Sequence, residues 1–210
     1  MRLKVKSVGK LLEDIKMSHD VVNEQIIFKH HKEGRNSLDA LCQGVERFVN
    51  SGGMTAEGTP TWDELYIAMV RLVAMKSKDS STKCGCVIVG PDHEVRSTGY
   101  NGLPRGVEYR EDRTEVRPEK YFWFEHSERN AIYNAARMGL SLKGCTAYVT
   151  GPPCADCARG LIQAGIKEVV IPTDVSQCAI KNKDKWGDSC DRAQKMFAES
   201  GVTFRRVEGT

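Results

Sequence analysis

The 210-residue sequence has no apolar run of the ~20 residues needed to cross a bilayer, and Met1-Arg2-Leu3-Lys4 is not expected to open a secretory leader. The expectation is a cytoplasmic protein with no membrane association. A surplus of charge is also missing: 31 Lys and Arg against 28 Asp and Glu leave a formal net charge of +3. That balance admits a small anionic ligand but lacks the basic excess of a nucleic-acid groove. With no secretory context, the eight cysteines read as metal ligands and reduced core thiols rather than disulfides. The apolar fraction of 40% and the charged fraction of 28% are ordinary for a globular chain, and 210 residues can bury one sizeable core.

What is present is a pair of short motifs. His126-Ser127-Glu128-Arg129-Asn130 is answered by Pro153-Cys154-Ala155-Asp156-Cys157. One imidazole and two thiolates can hold zinc and leave its fourth tetrahedral position for a water. Glu128, two residues from His126, can reach that water without binding the metal, and zinc brings the water's pKa towards ~7 in favourable sites. The two thiolates formally cancel the charge of the ion, so further positive potential is needed. Residues 127–138 and 154–164 read as helices whose first turns carry the ligands, and helix N-termini favour thiolates and carboxylates. Pro152-Pro153 suits a helix start. His-x-Glu followed by Pro-Cys-x-x-Cys is the pattern of zinc deaminases. A closed four-cysteine site from Cys84, Cys86, Cys154 and Cys157 is the rival, and it leaves His126 and Glu128 without a task.

Residues 1–58 are expected to form a helical extension of unassigned role, with helix-like apolar spacing over 8–17 and 38–49. His30-His31 reads as part of a solvated turn, and 51–60 as a linker. A catalytic domain is expected over 61–210. Thr61-Trp62-Asp63-Glu64 is a capping box opening an amphipathic helix, with Leu65, Met69, Leu72 and Val73 turned inward. Strands are expected over 84–89 and 95–99, paired across Gly90-Pro91-Asp92-His93, with Cys84 and Cys86 as small packing residues.

The loop Gly99-Tyr100-Asn101-Gly102-Leu103-Pro104-Arg105-Gly106 brings backbone close to a partner. Asn101 offers donor and acceptor to a sugar hydroxyl or base edge, and Arg105 a fork of donors to a phosphate. Residues 107–120 are highly charged and long for a structureless loop. Tyr121-Phe122-Trp123-Phe124 is expected mainly in the core. Further strands are expected over 146–150, 168–172 and 202–207, and a helix over 188–200. Cys178 and Cys190 lack ligand spacing, and Arg205-Arg206 read as solvated residues of an edge strand. Alternating helix and strand in this half give an α/β layer with partly parallel pairing.

Over residues 62–207 the chain resembles the deoxycytidylate (dCMP) deaminases of the cytidine deaminase fold. The matching pieces are Ser77-Lys78-Asp79-Ser80-Ser81-Thr82, the 99–106 loop, His126-x-Glu128-x-Asn130-Ala131-Ile132 and Pro153-Cys154-x-x-Cys157-Ala158. Ile162-Gln163-Ala164-Gly165-Ile166-Lys167 and Gly201-Val202-Thr203-Phe204-Arg205 extend the match. The resemblance implies a three-layer α/β fold, a mixed sheet of about five strands with helices on both faces. It implies one catalytic Zn2+ on His126, Cys154 and Cys157, and Glu128 as proton shuttle in the hydrolysis of dCMP to dUMP and ammonia, which supplies the dTMP precursor. Asn101, Gly102, Arg105 and Ser127 are then the substrate-binding candidates.

Lys78 and Arg137 are candidate regulator contacts for dCTP or dTTP, with Mg2+ accompanying the triphosphate, and a homo-oligomer, a hexamer, is expected. Ser127 stands where a small apolar residue is usual, and the extension before Trp62 is longer than the common pattern. The rival functions are deamination of cytidine or a 5-substituted dCMP, editing of nucleic-acid bases, and non-catalytic sensing of deoxynucleotides. The near-balanced charge speaks against the editor and the intact Glu128 against the sensor.

Overall fold

Thr61 starts the first helix among the described residues, as its sequence predicts. This structure, a computed structural model, describes residues 59–174 and 183–208. The expected helices at 8–17 and 38–49, His30-His31, most of the 51–60 linker and Cys178 lie outside the described residues. The Thr61 hydroxyl accepts from the Glu64 N–H at 3.3 Å, and the Glu64 carboxylate accepts from the Thr61 N–H at 2.6 Å. Such a cap stabilises a helix by about 1 kcal/mol. It opens α1 (Trp62–Ala74).

The buried face of α1 differs from the expected one. Tyr66, Ile67, Val70 and Ala74 are buried, whereas Leu65 and Leu72 are 38% and 51% exposed. Met69 and Val73 lie at the margin of the core. The helix is apolar on almost every side, so periodicity alone does not choose its inner stripe. Strand β1 (Gly85–Val89) chooses it. A Cβ on Gly85 would stand 2.3 Å from the Val70 carbonyl oxygen and 2.8 Å from the Ala74 N, so the turn carrying those two residues rests directly on the strand.

The sheet has five strands in the order β2-β1-β3-β4-β5, with β2 (Val95–Tyr100), β3 (Thr146–Val149), β4 (Glu168–Pro172) and β5 (Thr203–Val207). β1 pairs antiparallel with β2 and β3, and β3, β4 and β5 run parallel, so the sheet is mixed. Strand period sorts the side chains into two cores. Val87, Val89, Tyr148 and Val170 face α1. Cys86, Ile88, Ala147, Val149, Val169 and Ile171 face the other way, against Ala131 and Ala135 of α4 (Ser127–Arg137), Leu161 of α5 (Ala155–Gln163) and Phe197 of α6 (Lys183–Ser200). Each large apolar side chain so buried contributes roughly 1.5–3 kcal/mol. The expected three-layer α/β architecture is the observed one.

Two expectations on the flanks are corrected. The stretch 107–120 holds α2 (Glu111–Thr114), and α3 (Lys120–Trp123) follows. None of Tyr121, Phe122, Trp123 and Phe124 is buried, and Phe122 is 81% exposed. Four consecutive aromatics around a one-turn helix cannot share one face, and this run leaves the core to the sheet. Arg205 is not solvated at the edge: it pairs with Asp63 at 2.6 and 2.9 Å and with Glu168 at 2.8 Å, which ties β5 and β4 to the first turn of α1. The Tyr148 hydroxyl donates to the same Asp63 at 2.7 Å.

Candidate active site

The helix starts deliver the chemistry. His126 is the N-cap of α4 and Cys154 the N-cap of α5, both with extended backbone, and neither spends its side chain on capping. Both side chains are thereby free to meet, and Cys157 joins them from the first turn of α5. His126 Nδ1 lies 3.5 Å from Cys154 Sγ and 3.4 Å from Cys157 Sγ. Zinc bonds of ~2.3 Å to sulfur and ~2.1 Å to nitrogen at a tetrahedral angle put N and S about 3.5 Å apart, so the donor set fits that ion. Among the described residues this is the single cluster of metal-ligating side chains, its atoms all within 4.8 Å, and Cys84 and Cys86 are not in it.

Electrostatics agree with the spacing. The Cys154 thiol is held down to about 4, first by the hydrogen bond from Cys157 and then by that from His126, against the opposing effect of burial. Cys157 is pushed the other way, by its bond to Cys154, by burial and by the charge of Glu128. His126 is pushed up to about 9, chiefly by its bond to Cys154. Three donors this close compete for protons, and a cation lets all of them present lone pairs at once. Around them, Glu125 Oε1 accepts from the His126 N–H at 3.0 Å and from Arg129 at 2.5 Å, and Arg129 reaches Asp156 at 3.7 Å. The two ligand-bearing helices are cross-tied at their first turns. Ser189 of α6 accepts from the Ala155 N–H at 3.0 Å and so satisfies one open donor of α5.

A pocket opens over the cluster. His126, Ser127, Glu128 and Cys154 line it, together with Val149 to Pro152. Tyr121, Phe124 and Trp186 supply aromatic surface, and the Trp186 ring meets His126 edge-on at 5.7 Å between centroids. The polar wall is built from Asp79, Ser81, Thr82, Asn101, Lys120 and Arg117. Lys120 Nζ, 5% exposed as a residue, donates to Asp79 Oδ1 at 2.8 Å and Ser81 Oγ at 2.7 Å. Arg117 is exposed at the rim and has no partner among the described residues.

The substrate-binding candidates separate. Asn101 lines the pocket, but its Oδ1 accepts from the Cys84 N–H at 2.7 Å and its Nδ2 donates to Thr82 O at 2.9 Å and Asp79 Oδ2 at 3.3 Å. Its two amide protons serve the wall itself. Gly102 exchanges backbone hydrogen bonds of 3.0 and 2.8 Å with Glu125, which fixes the 99–106 loop to the residue before His126. Arg105 pairs with Asn134 of α4, away from the pocket lining. The Ser127 hydroxyl donates to Glu128 Oε2 at 2.9 Å. Lys78 and Arg137 are exposed and off the pocket wall; Lys78 lies 5.5 Å over the Tyr109 ring and Arg137 ends α4. Sequence reading missed Lys120, Arg117 and Trp186. Lys120 and Asp79 stand 41 residues apart in polar segments with no spacing rule to join them.

A ligand set of this kind at two helix N-termini, with the Glu128 carboxylate lining the same pocket, is that of a catalytic zinc site. Comparison with known proteins narrows the class. Residues 60–173 match the model of the cytidine and deoxycytidylate deaminase zinc-binding region. Human deoxycytidylate deaminase is 36% identical over 150 residues, which cover 69% of this chain and 79% of that protein. The deoxycytidylate deaminase of Enterobacteria phage T4 is 33% identical over 156 residues, covering 56% and 78%. The dCMP deaminase of cyanophage S-TIM5, in a structure with dCMP and dUMP, superposes with a TM-score of 0.52 at 24% identity over 71% of this chain and 98% of that one, a likeness of fold. The chain belongs to the cytidine and deoxycytidylate deaminase family. It is a hydrolytic deaminase whose metal is zinc. No helix among the described residues is long and apolar enough to cross a membrane.

Proposed function

We propose that this chain hydrolyses dCMP to dUMP and ammonia. One observation supports it most: Glu128 lines one pocket with two members of the ligand cluster, His126 and Cys154, and with the cations Lys120 and Arg117. Glu128, 5% exposed, lines the pocket together with His126 and Cys154, which supports its reading as the proton carrier. Zinc held by His126, Cys154 and Cys157 supplies a Lewis acid that brings water's pKa towards ~7. Glu128 takes a proton from the water that adds to C4 and passes it to N3, then takes the proton of the new C4 hydroxyl and delivers it to the amine as the C4–N bond breaks, the C4 carbonyl forms and ammonia leaves. One water is consumed and one ammonia released. Tyr121, Phe124 and Trp186 offer the ring an apolar surface and exclude bulk water from it. The polar wall accepts the sugar and 5′-phosphate. Lys120 is neutralised by Asp79, so the guanidinium of Arg117, unpaired among the described residues, is the group that answers a phosphate dianion.

The wider reading follows the same family. Residues 61–210 form the catalytic domain and 1–58 an extension with a separate role. The protein works in the cytoplasm as a homo-oligomer, with a hexamer as the first expectation. It is activated by dCTP and inhibited by dTTP, each with Mg2+, and Lys78 and Arg137 are its candidate effector contacts. The test is ammonia release by the zinc-loaded full chain from dCMP, deoxycytidine, cytidine and dCTP, with and without the two triphosphates as effectors. Turnover confined to dCMP and raised by dCTP is expected. Equal turnover of the nucleosides contradicts the phosphate reading, and binding of triphosphates without ammonia release contradicts the enzyme.

A further inference from the structure

Glu128 is held by a neighbour. The Ser127 hydroxyl donates to Glu128 Oε2 at 2.9 Å, and Ser127 is 0% exposed. Adjacent residues of a helix do not ordinarily face each other, so this contact requires both side chains to turn to one side of the helix start. The Ser127 hydroxyl has one O–H to donate, and Glu128 Oε2 accepts that hydrogen bond. The other oxygen, Oε1, has no donor among the described residues. No sealed-off side-chain oxygen among those residues lacks a partner, so Oε1 is open to the pocket that Glu128 lines. One carboxylate oxygen is anchored and the other is available.

The anchor is itself rigid. A Cβ on Gly99 of β2 would stand 2.2 Å from the Ser127 carbonyl oxygen and 2.3 Å from the Ala131 N, so the first turn of α4 lies pressed onto the strand. Ser97 Oγ reinforces this seat by donating to the Ala131 carbonyl at 2.6 Å. The backbone of Ser127 therefore has little room to move, and its short side chain transmits that rigidity to Glu128. Without the hydroxyl, the terminal torsion of Glu128, broad and roughly two-fold by nature, is set by nothing else among the described residues.

We propose that Ser127 is a positioning residue for the deamination: by holding Glu128 Oε2 it presents Oε1 to the reacting ring. This rests on the reading of Glu128 as the proton carrier. A group whose alignment matters as the proton moves acts on the transition state and not on substrate binding, so its loss lowers kcat and leaves KM in place. General acid–base groups contribute about 10²–10⁴-fold in rate, and displacement of such a group forfeits part of that.

The experiment compares the zinc-loaded full chain with Ser127→Ala, Ser127→Thr and Glu128→Ala. It reads zinc content, kcat and KM for dCMP, and the calorimetric Kd of dUMP. Ser127→Ala is expected to keep its zinc, its KM and its dUMP affinity within twofold and to lose about tenfold in kcat, with general acid–base contributions as the guide. Ser127→Thr, which keeps a hydroxyl, recovers most of that loss. Wild-type kcat in Ser127→Ala beside an inactive Glu128→Ala overturns the inference alone. A shift in KM and dUMP affinity at unchanged kcat assigns the hydroxyl to the substrate instead and also overturns it. A Glu128→Ala protein that still turns over dCMP overturns the reading of Glu128 on which the inference rests.

Discussion

Glu128 and Arg117 line one pocket, and the proposed function gives them different tasks, so their substitutions are expected to separate chemistry from recognition. Glu128→Ala removes the proposed proton carrier and none of the three candidate metal ligands. It is expected to keep one zinc per chain, by metal analysis, and to lose at least ~10²-fold in kcat. Arg117→Ala removes an exposed guanidinium with no partner among the described residues, so folding is unaffected. Its kcat/KM for dCMP falls about tenfold or more, the worth of one charge-assisted contact, while deoxycytidine turnover is unchanged. Steady-state kinetics on both substrates checks this. Lys120→Ala behaves differently. It strands the buried carboxylate of Asp79, 4% exposed, and lowers stability as well as activity.

At the scale of elements, two close approaches hold the site in place. Gly99→Ala would drive a methyl into the Ser127 carbonyl, the Ala131 N and the Asn130 carbonyl carbon, all within 2.9 Å. Helix α4 must lift from β2, taking His126 and Glu128 with it. A loss of about 3 kcal/mol is expected in urea melts, with zinc affinity reduced. The triad of Asp63, Arg205 and Glu168 joins α1 to β4 and β5. Arg205 holds the Asp63 carboxyl below the usual carboxylate range, against the effect of burial. A lowered folded value means that the contribution is complete above the unfolded carboxylate pKa of ~4 and is lost as acid carries the pH through the folded value. Melting temperatures from pH 7 to 3 should therefore fall more steeply for the wild type than for Asp63→Asn, and parallel curves would contradict the link.

Across the whole molecule, zinc and fold are coupled. Zinc binds the folded cluster and not the same residues dispersed in an unfolded chain, so it stabilises by about 4 kcal/mol at a thousandfold excess over Kd. Chelation is expected to lower the melting temperature and abolish turnover, with both restored by added zinc. Much of this organisation was legible in the sequence, since both ligand motifs open helices and the strand patterns alternate with them. His126, Cys154 and Cys157 announce themselves because the helix start that places them is written in the adjacent residues. Strands such as Glu168–Pro172 were legible because β-branched runs between turns leave few alternatives.

The inner face of α1 was not legible, because its apolar residues surround the helix and Gly85 of another element selects among them. Nor was the Asp79–Lys120 pair, which tertiary folding alone brings together. Asn101 and Arg105 were singled out for ligand chemistry; Asn101 lines the pocket while hydrogen-bonded to Cys84 and Thr82, and Arg105 is hydrogen-bonded to Asn134, partners that no local pattern announced.

The most direct measurement is conversion of dCMP by the zinc-loaded full chain and by Glu128→Ala, side by side, following dUMP and ammonia. One dUMP and one ammonia per dCMP consumed, from the wild type alone, with equal zinc in both proteins, is the predicted result. No dUMP from a wild type that holds its zinc, or an equal rate from both proteins, would contradict it.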